Sequence, residues 1–138
     1  MRGDVALPVA FALADEDFRD LRVPHRLRLE FVDIRSDGDG TMTAPELDHV
    51  ERIVEFAPVA DGKRTLIHCQ AGISRSTAAA FIITAVLLGP GSELEALAKV
   101  LAVRPIALPN TRMVRFADEI LARDGALMRA LAVKNLVL

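Results

Sequence analysis

The sequence predicts an α/β fold: a single domain over residues 1–138, with a central mixed or mostly parallel sheet flanked by helices. Three observations carry the expectation. A chain of 138 residues, 51% hydrophobic and 26% charged, is globular in composition and long enough to bury one core. Short β-prone runs at 5–13, 27–32 and 65–68 are interleaved with helical patterns, and a run of helices completes the chain. No internal repeat, low-complexity tract or linker divides it.

Residues 5–13 form an apolar run ending in Ala12-Leu13-Ala14, which superficially matches a signal-peptide cleavage site. Arg2 is the only basic residue ahead of it, Asp4 sits beside Arg2 and Pro8 interrupts the run, so an N-terminal strand is the better reading. Leu27 to Val32 alternates apolar and polar, the period-2 signal of a half-buried strand. A polar, Gly-rich loop follows over 33–40. Thr43-Ala44-Pro45-Glu46 reads as a capping box with Pro in the first turn, opening a helix with Leu47, Val50, Ile53, Val54 and Ala57 on one face. Gly62 marks a turn, and Thr65-Leu66-Ile67-His68 is a short strand ending at Cys69.

Residues 76–88 are almost wholly apolar and predict a central helix stopped by Gly89-Pro90. At this length the run is a buried core helix, too short for a membrane span. Ser92-Glu93-Leu94-Glu95 reads as a second capping box, with Leu94, Leu97, Ala98 and Leu101 facing inward. Pro105 and Pro109 bracket a loop. Asn110 or Thr111 then caps another helix, through Leu121, that Asp124-Gly125 breaks.

Composition excludes several functions. The 17 Lys+Arg against 19 Asp+Glu give a net charge of −2, so neither a nucleic acid nor an anionic membrane is an expected partner. With 4% aromatic residues and no Trp or Tyr, there is no base-stacking platform. A single cysteine, Cys69, excludes an intramolecular disulfide framework and a Cys-rich zinc site, and fits a reducing, cytoplasmic compartment. Nothing in the sequence specifies an oligomeric state.

His68-Cys69-Gln70-Ala71-Gly72-Ile73-Ser74-Arg75-Ser76 is the most informative stretch. A tight loop closing onto a helix N-terminus turns backbone N–H groups inward, where the helix dipole adds positive potential, so residues 70–75 read as an anion cradle. Gly72 lets the backbone approach a ligand with no Cβ in the way. Arg75 offers a planar fork matching two phosphoryl oxygens. The same field lowers a thiol pKa from about 8.5 into roughly the 3.5–7.5 range, making Cys69 a thiolate in line with a bound phosphoryl group. His68 is expected to order the loop by hydrogen bonds. Ser76 is placed to donate to the sulfur when it later departs.

His68, Cys69, Gly72, Arg75 and Ser76 match the H-C-x-x-G-x-x-R-[ST] signature, and the chain resembles the cysteine-based protein tyrosine phosphatase superfamily. The variant H-C-x-A-G-x-x-R-S is similar to the dual-specificity branch and its small bacterial relatives. Five specified positions would match by chance about once in a million starts or less. The resemblance covers roughly residues 25–121. It implies a protein tyrosine phosphatase-like fold with a reduced N-terminus, since few residues precede Leu27. It implies a metal-independent, cofactor-free enzyme whose partner is a phosphorylated protein. Arg104-Pro105-Ile106-Ala107-Leu108-Pro109-Asn110 resembles the family's R-x(n)-P-N loop, which packs beside the catalytic loop, giving Asn110 a supporting role beside its reading as a helix cap.

The resemblance also implies an upstream aspartic acid that protonates the leaving group. Phe31-Val32-Asp33 fits the family's strand-end setting and favours Asp33, whereas the usual interval to the cysteine favours Asp37; Asp39 is a third candidate. With no Tyr or Trp to build a deep aromatic pocket, phosphoserine and phosphothreonine are expected substrates beside phosphotyrosine. The neutral Gln70, Ala71, Ile73 and Ser74 disfavour phosphoinositides.

Other readings remain in view. One is a buried structural thiol, which would not require Gly72 and Arg75 at these spacings. Another is a catalytically idle phosphate-binding module that keeps the cradle. Residues 37–47 resemble the later part of an EF-hand loop, but the first ligand position falls on Arg35 and a strand-like segment replaces the entering helix. Arsenate reduction lacks a resolving thiol, and rhodanese-like loops are one residue shorter.

Overall fold

The computed structural model describes residues 9–12, 47–62, 65–68 and 73–137. Two strands and five helices follow in order: β1 (Val9–Ala12), α1 (Leu47–Ala60), β2 (Thr65–His68), α2 (Arg75–Leu88), α3 (Glu93–Val103), α4 (Thr111–Leu121) and α5 (Ala126–Val137). The expected strand at 27–32, the loop at 33–40 and the capping box at 43–46 lie outside the described residues.

The described core is helix packed on helix, which corrects the expected α/β architecture. The sole extended pairing among the described residues is a four-residue parallel ladder of β1 on β2, from Val9 opposite Thr65 to Ala12 opposite His68. No central sheet with helices on both faces is formed by them. The reason lies in α2. Residues 76–78, 80–85 and 87 are all buried, and the helix is enclosed by α1, α3 and α4, with β2 beside it. An all-round apolar helix can be covered by a sheet or by other helices, and its own pattern does not distinguish them. Here amphipathic helices supply most of the cover.

Helix α1 buries Val50, Ile53, Ala57 and Ala60, close to the face its periodicity predicts, with Val54 half-buried and Leu47 exposed. Gly62, at φ +70°, takes the left-handed turn that follows. Helix α2 begins one residue earlier than expected and stops at Gly89 as expected. Gly89, at φ +93°, returns its N–H to the Ala85 carbonyl at 3.1 Å.

Helix α3 is rotated from the expected face. Leu94 is 56% exposed and Ala98 is exposed, while Glu93, Ala96, Leu97 and Val100 turn inward and Leu101 is half-buried. The expected capping box does not form, since the Ser92 side chain makes no cap bond. Glu93 instead accepts from the Gly91 N–H and pairs with Arg123, each at 3.0 Å and with both charged side chains more than nine-tenths buried. A buried carboxylate must keep its cation, so the pair sets which face of this helix points in.

Helix α4 ends at Ala122, which adopts the left-handed conformation at φ 51°. Helix α5, not individually expected from the sequence, is held at its start by Asp118 of α4. The Asp118 carboxylate accepts the Leu127 and Met128 N–H groups, each at 2.9 Å. Those are first-turn amides with no intrahelical acceptor, and a negative charge at a helix N-terminus is stabilised by its dipole. Asp118→Ala is expected to cost about 1–3 kcal/mol by leaving these donors unsatisfied. Asp118→Asn, keeping one acceptor, should fall between, and urea unfolding of the three proteins would check the order.

Candidate functional site

The signature stretch spans the junction between β2 and α2. His68 is the last residue of β2, its backbone opposite Ala12 of β1; Arg75 is the first of α2. Cys69, Gln70, Ala71 and Gly72 lie outside the described residues, as do Asp33, Asp37 and Asp39, and so does the side chain of His68. What is described is the closing half of the loop, Ile73 through Ser76, and the segment beside it.

Ser74 is the N-cap residue of α2. It is buried, and its side chain makes no capping bond to the helix. The first-turn N–H groups of any α-helix lack intrahelical acceptors, and the helix dipole makes such a terminus electropositive. Arg75 is half-buried at the first helical position and Ser76 is buried at the second.

The loop end is joined to a second segment distant in sequence. The Leu108 N–H donates to the Ile73 carbonyl at 2.8 Å, and the Asn110 N–H donates to the Ser74 carbonyl at 3.0 Å. In extended backbone, amides two residues apart point the same way, so Leu108 and Asn110 both reach the loop. Asn110 is fully buried and also caps α4, its Oδ1 accepting the Met113 N–H at 3.0 Å. Of the two caps the sequence allows, Asn110 rather than Thr111 fills the position. Arg104 is half-buried at the C-cap of α3, at the start of the same segment.

No protein-family model, curated protein or solved structure matches the chain.

One contributor was not singled out from the sequence. Thr77 is fully buried, and its single hydroxyl proton goes to the Ile73 carbonyl, with the Ser74 carbonyl 3.1 Å from the same oxygen. A threonine in the first turn of a helix can bond back to the preceding turn, which is the signal that could have found it.

A shallow groove lies elsewhere, between α1 and α4, lined by Leu47, Glu51, Val54, Glu55, Glu119 and Ile120. Three carboxylates disfavour a phosphate dianion there, and no signature residue lines it. Among the described residues no cluster of three or more His, Cys, Asp or Glu could hold a metal ion, and no helix is long and apolar enough to cross a membrane. The calcium-like stretch at 37–46 lies outside them.

Asn110→Ala removes the α4 cap and is expected to cost about 1–2 kcal/mol in chemical unfolding, near the upper part of the range for caps because the side chain is buried.

Proposed function

We propose that the chain is a metal-independent phosphomonoesterase of the cysteine-based type. It hydrolyses phosphotyrosine, and phosphoserine or phosphothreonine, in protein substrates of a cytoplasmic compartment. The observation that carries the reading is the run His68-Cys69-x-x-Gly72-x-x-Arg75-Ser76, with the thiol directly after a strand and the arginine at the first position of a buried helix. The support from the fold is local. The helix terminus is not capped by its own Ser74 side chain, and a second segment fixes the loop end.

In this mechanism the Cys69 thiolate attacks phosphorus, and the ester P–O bond breaks as the S–P bond forms. The Arg75 guanidinium and the loop amides of 70–75 hold the three non-bridging oxygens, whose charge spreads in the transition state. An upstream aspartic acid, Asp33 or Asp37, gives its proton to the departing oxygen. The same group, now a carboxylate, takes a proton from the water that attacks the phosphocysteine. The S–P bond then breaks, the thiolate returns with the Ser76 hydroxyl donating to it, and inorganic phosphate leaves. His68 orders the loop.

Hydrolysis of an aryl phosphate in EDTA is expected for the wild type, and Cys69→Ser should lower kcat by at least about 10^3-fold. Activity that survives in that variant, or that disappears on chelation, would remove the cysteine mechanism. Phosphate binding by an inactive wild type would leave only a phosphate-binding module. Between Asp33→Asn and Asp37→Asn, the acid is the one whose loss lowers kcat by about 10^2–10^4-fold and flattens the basic limb of the pH profile. That limb arises because the acid must be protonated, so activity falls as pH rises through its pKa.

A further inference from the structure

We propose that the groove between α1 and α4 is a docking surface for a partner protein, and that its occupant is a short amphipathic helix carrying Lys or Arg beside its apolar face. The proposal is independent of the phosphatase reading. On α1 the lining residues are Leu47, Glu51, Val54 and Glu55, which fall on one face at helical spacing. They cover about 12 Å of that helix. Glu119 and Ile120 close the groove from the last turn of α4. Val54 and Ile120 are half-buried and Leu47 is exposed, so an apolar surface stands open among three exposed carboxylates.

Charge complementarity decides the sign of the occupant. Arg52 and Arg115 stand exposed on the same two helices but do not line the groove. Among the described residues none of the three carboxylates is in an ion pair. A neutral partner would strip water from them without replacing its hydrogen bonds, and an acidic one would be repelled. A Lys or Arg at the margin of an apolar face meets a carboxylate while its aliphatic stem covers Leu47, Val54 and Ile120. The walls decide the occupant's conformation. Both are α-helices, whose backbone groups bond within the helix, so neither offers an edge to an extended peptide. Laid on apolar side chains, an extended segment would leave its own amides unsatisfied, whereas a helix satisfies them internally. The net charge of −2 is too small to draw a basic peptide to the whole surface, so the attraction is local.

The probe is a capped synthetic helix of about 14 residues, with leucines on one face and lysines flanking them, titrated into the isotope-labelled full chain. Binding with a Kd below about 100 μM is expected, with amide NMR shifts centred on the residues that line the groove. Glu51→Lys combined with Glu55→Lys should raise that Kd at least about 10-fold, and Glu119→Lys alone about 3-fold. Glu95→Lys, exposed on α3, should change it by less than about 2-fold. The twin peptide with glutamate for every lysine should not bind, and the one with serine for every leucine should bind at least about 10-fold more weakly. No binding of the lysine probe at about 1 mM overturns the inference, as do shifts centred elsewhere or equal weakening by the α3 variant. A double variant that is folded and binds as the wild type does also overturns it. If the double variant does not fold, the Glu119→Lys result decides.

Discussion

Helix α2 has no face to give to water. Ten of its fourteen side chains are buried, so α1, α3 and α4 must close around it, with β2 alongside. Its polar members obey the same constraint. The Thr84 hydroxyl returns to the Ala80 carbonyl at 2.7 Å, and the Thr77 hydroxyl turns to the carbonyls of Ile73 and Ser74. Neither threonine hydroxyl is then left without an acceptor inside the core. The N-terminus of the most enclosed helix is a rigid place to hold the end of a loop, because moving it would disturb packing against three neighbours.

Elements whose apolar spacing is one-sided were legible from the sequence. The faces of α1 and the stop at Gly89 follow from local pattern, and the structure has them close to where pattern puts them. The architecture was not legible, because what surrounds an all-apolar helix is decided by the rest of the chain. Nor was the orientation of α3, where Leu94 and Ala98 satisfy helical spacing as well as Ala96 and Val100 do. The Glu93–Arg123 ion pair decides between those faces, and it joins residues thirty positions apart. The start of α5 is similar: Asp118 caps it from within the preceding helix, across the α4–α5 turn. That partner stands nine and ten residues before the amides it caps, beyond the three-residue spacing of a local capping box.

The candidate site divides along the same line. The chemistry proposed for it is read from one short run, in which the thiol, glycine and arginine stand at set spacings. Asn110 was legible as a helix cap by residue type. The bonds that tie its segment to the loop were not legible from residue type, since they run through backbone amides that every residue except proline possesses. Thr77 escaped notice for a related reason. A threonine inside an apolar helix bonds back to its own preceding turn, as Thr77 does, and residue type alone does not say that this turn is the end of the loop.

The segment beside the loop shows how sequence and geometry meet at Pro109. Leu108 and Asn110 donate to successive carbonyls of the loop end, so the amide between them would point away from the loop. Residue 109 is buried, and an N–H on a buried residue would need an acceptor. Proline carries no such donor, and its fixed φ also narrows the unfolded ensemble of the segment. The next residue must donate its amide to Ser74 and use its side chain to open α4. Asparagine does both, through the N–H to Ser74 and Oδ1 to Met113. The Pro-Asn pair thus joins the start of α4 to the start of α2 with no buried donor left over at Pro109. Two helix termini, far apart in the chain, are held in one register at the edge of the proposed phosphate site.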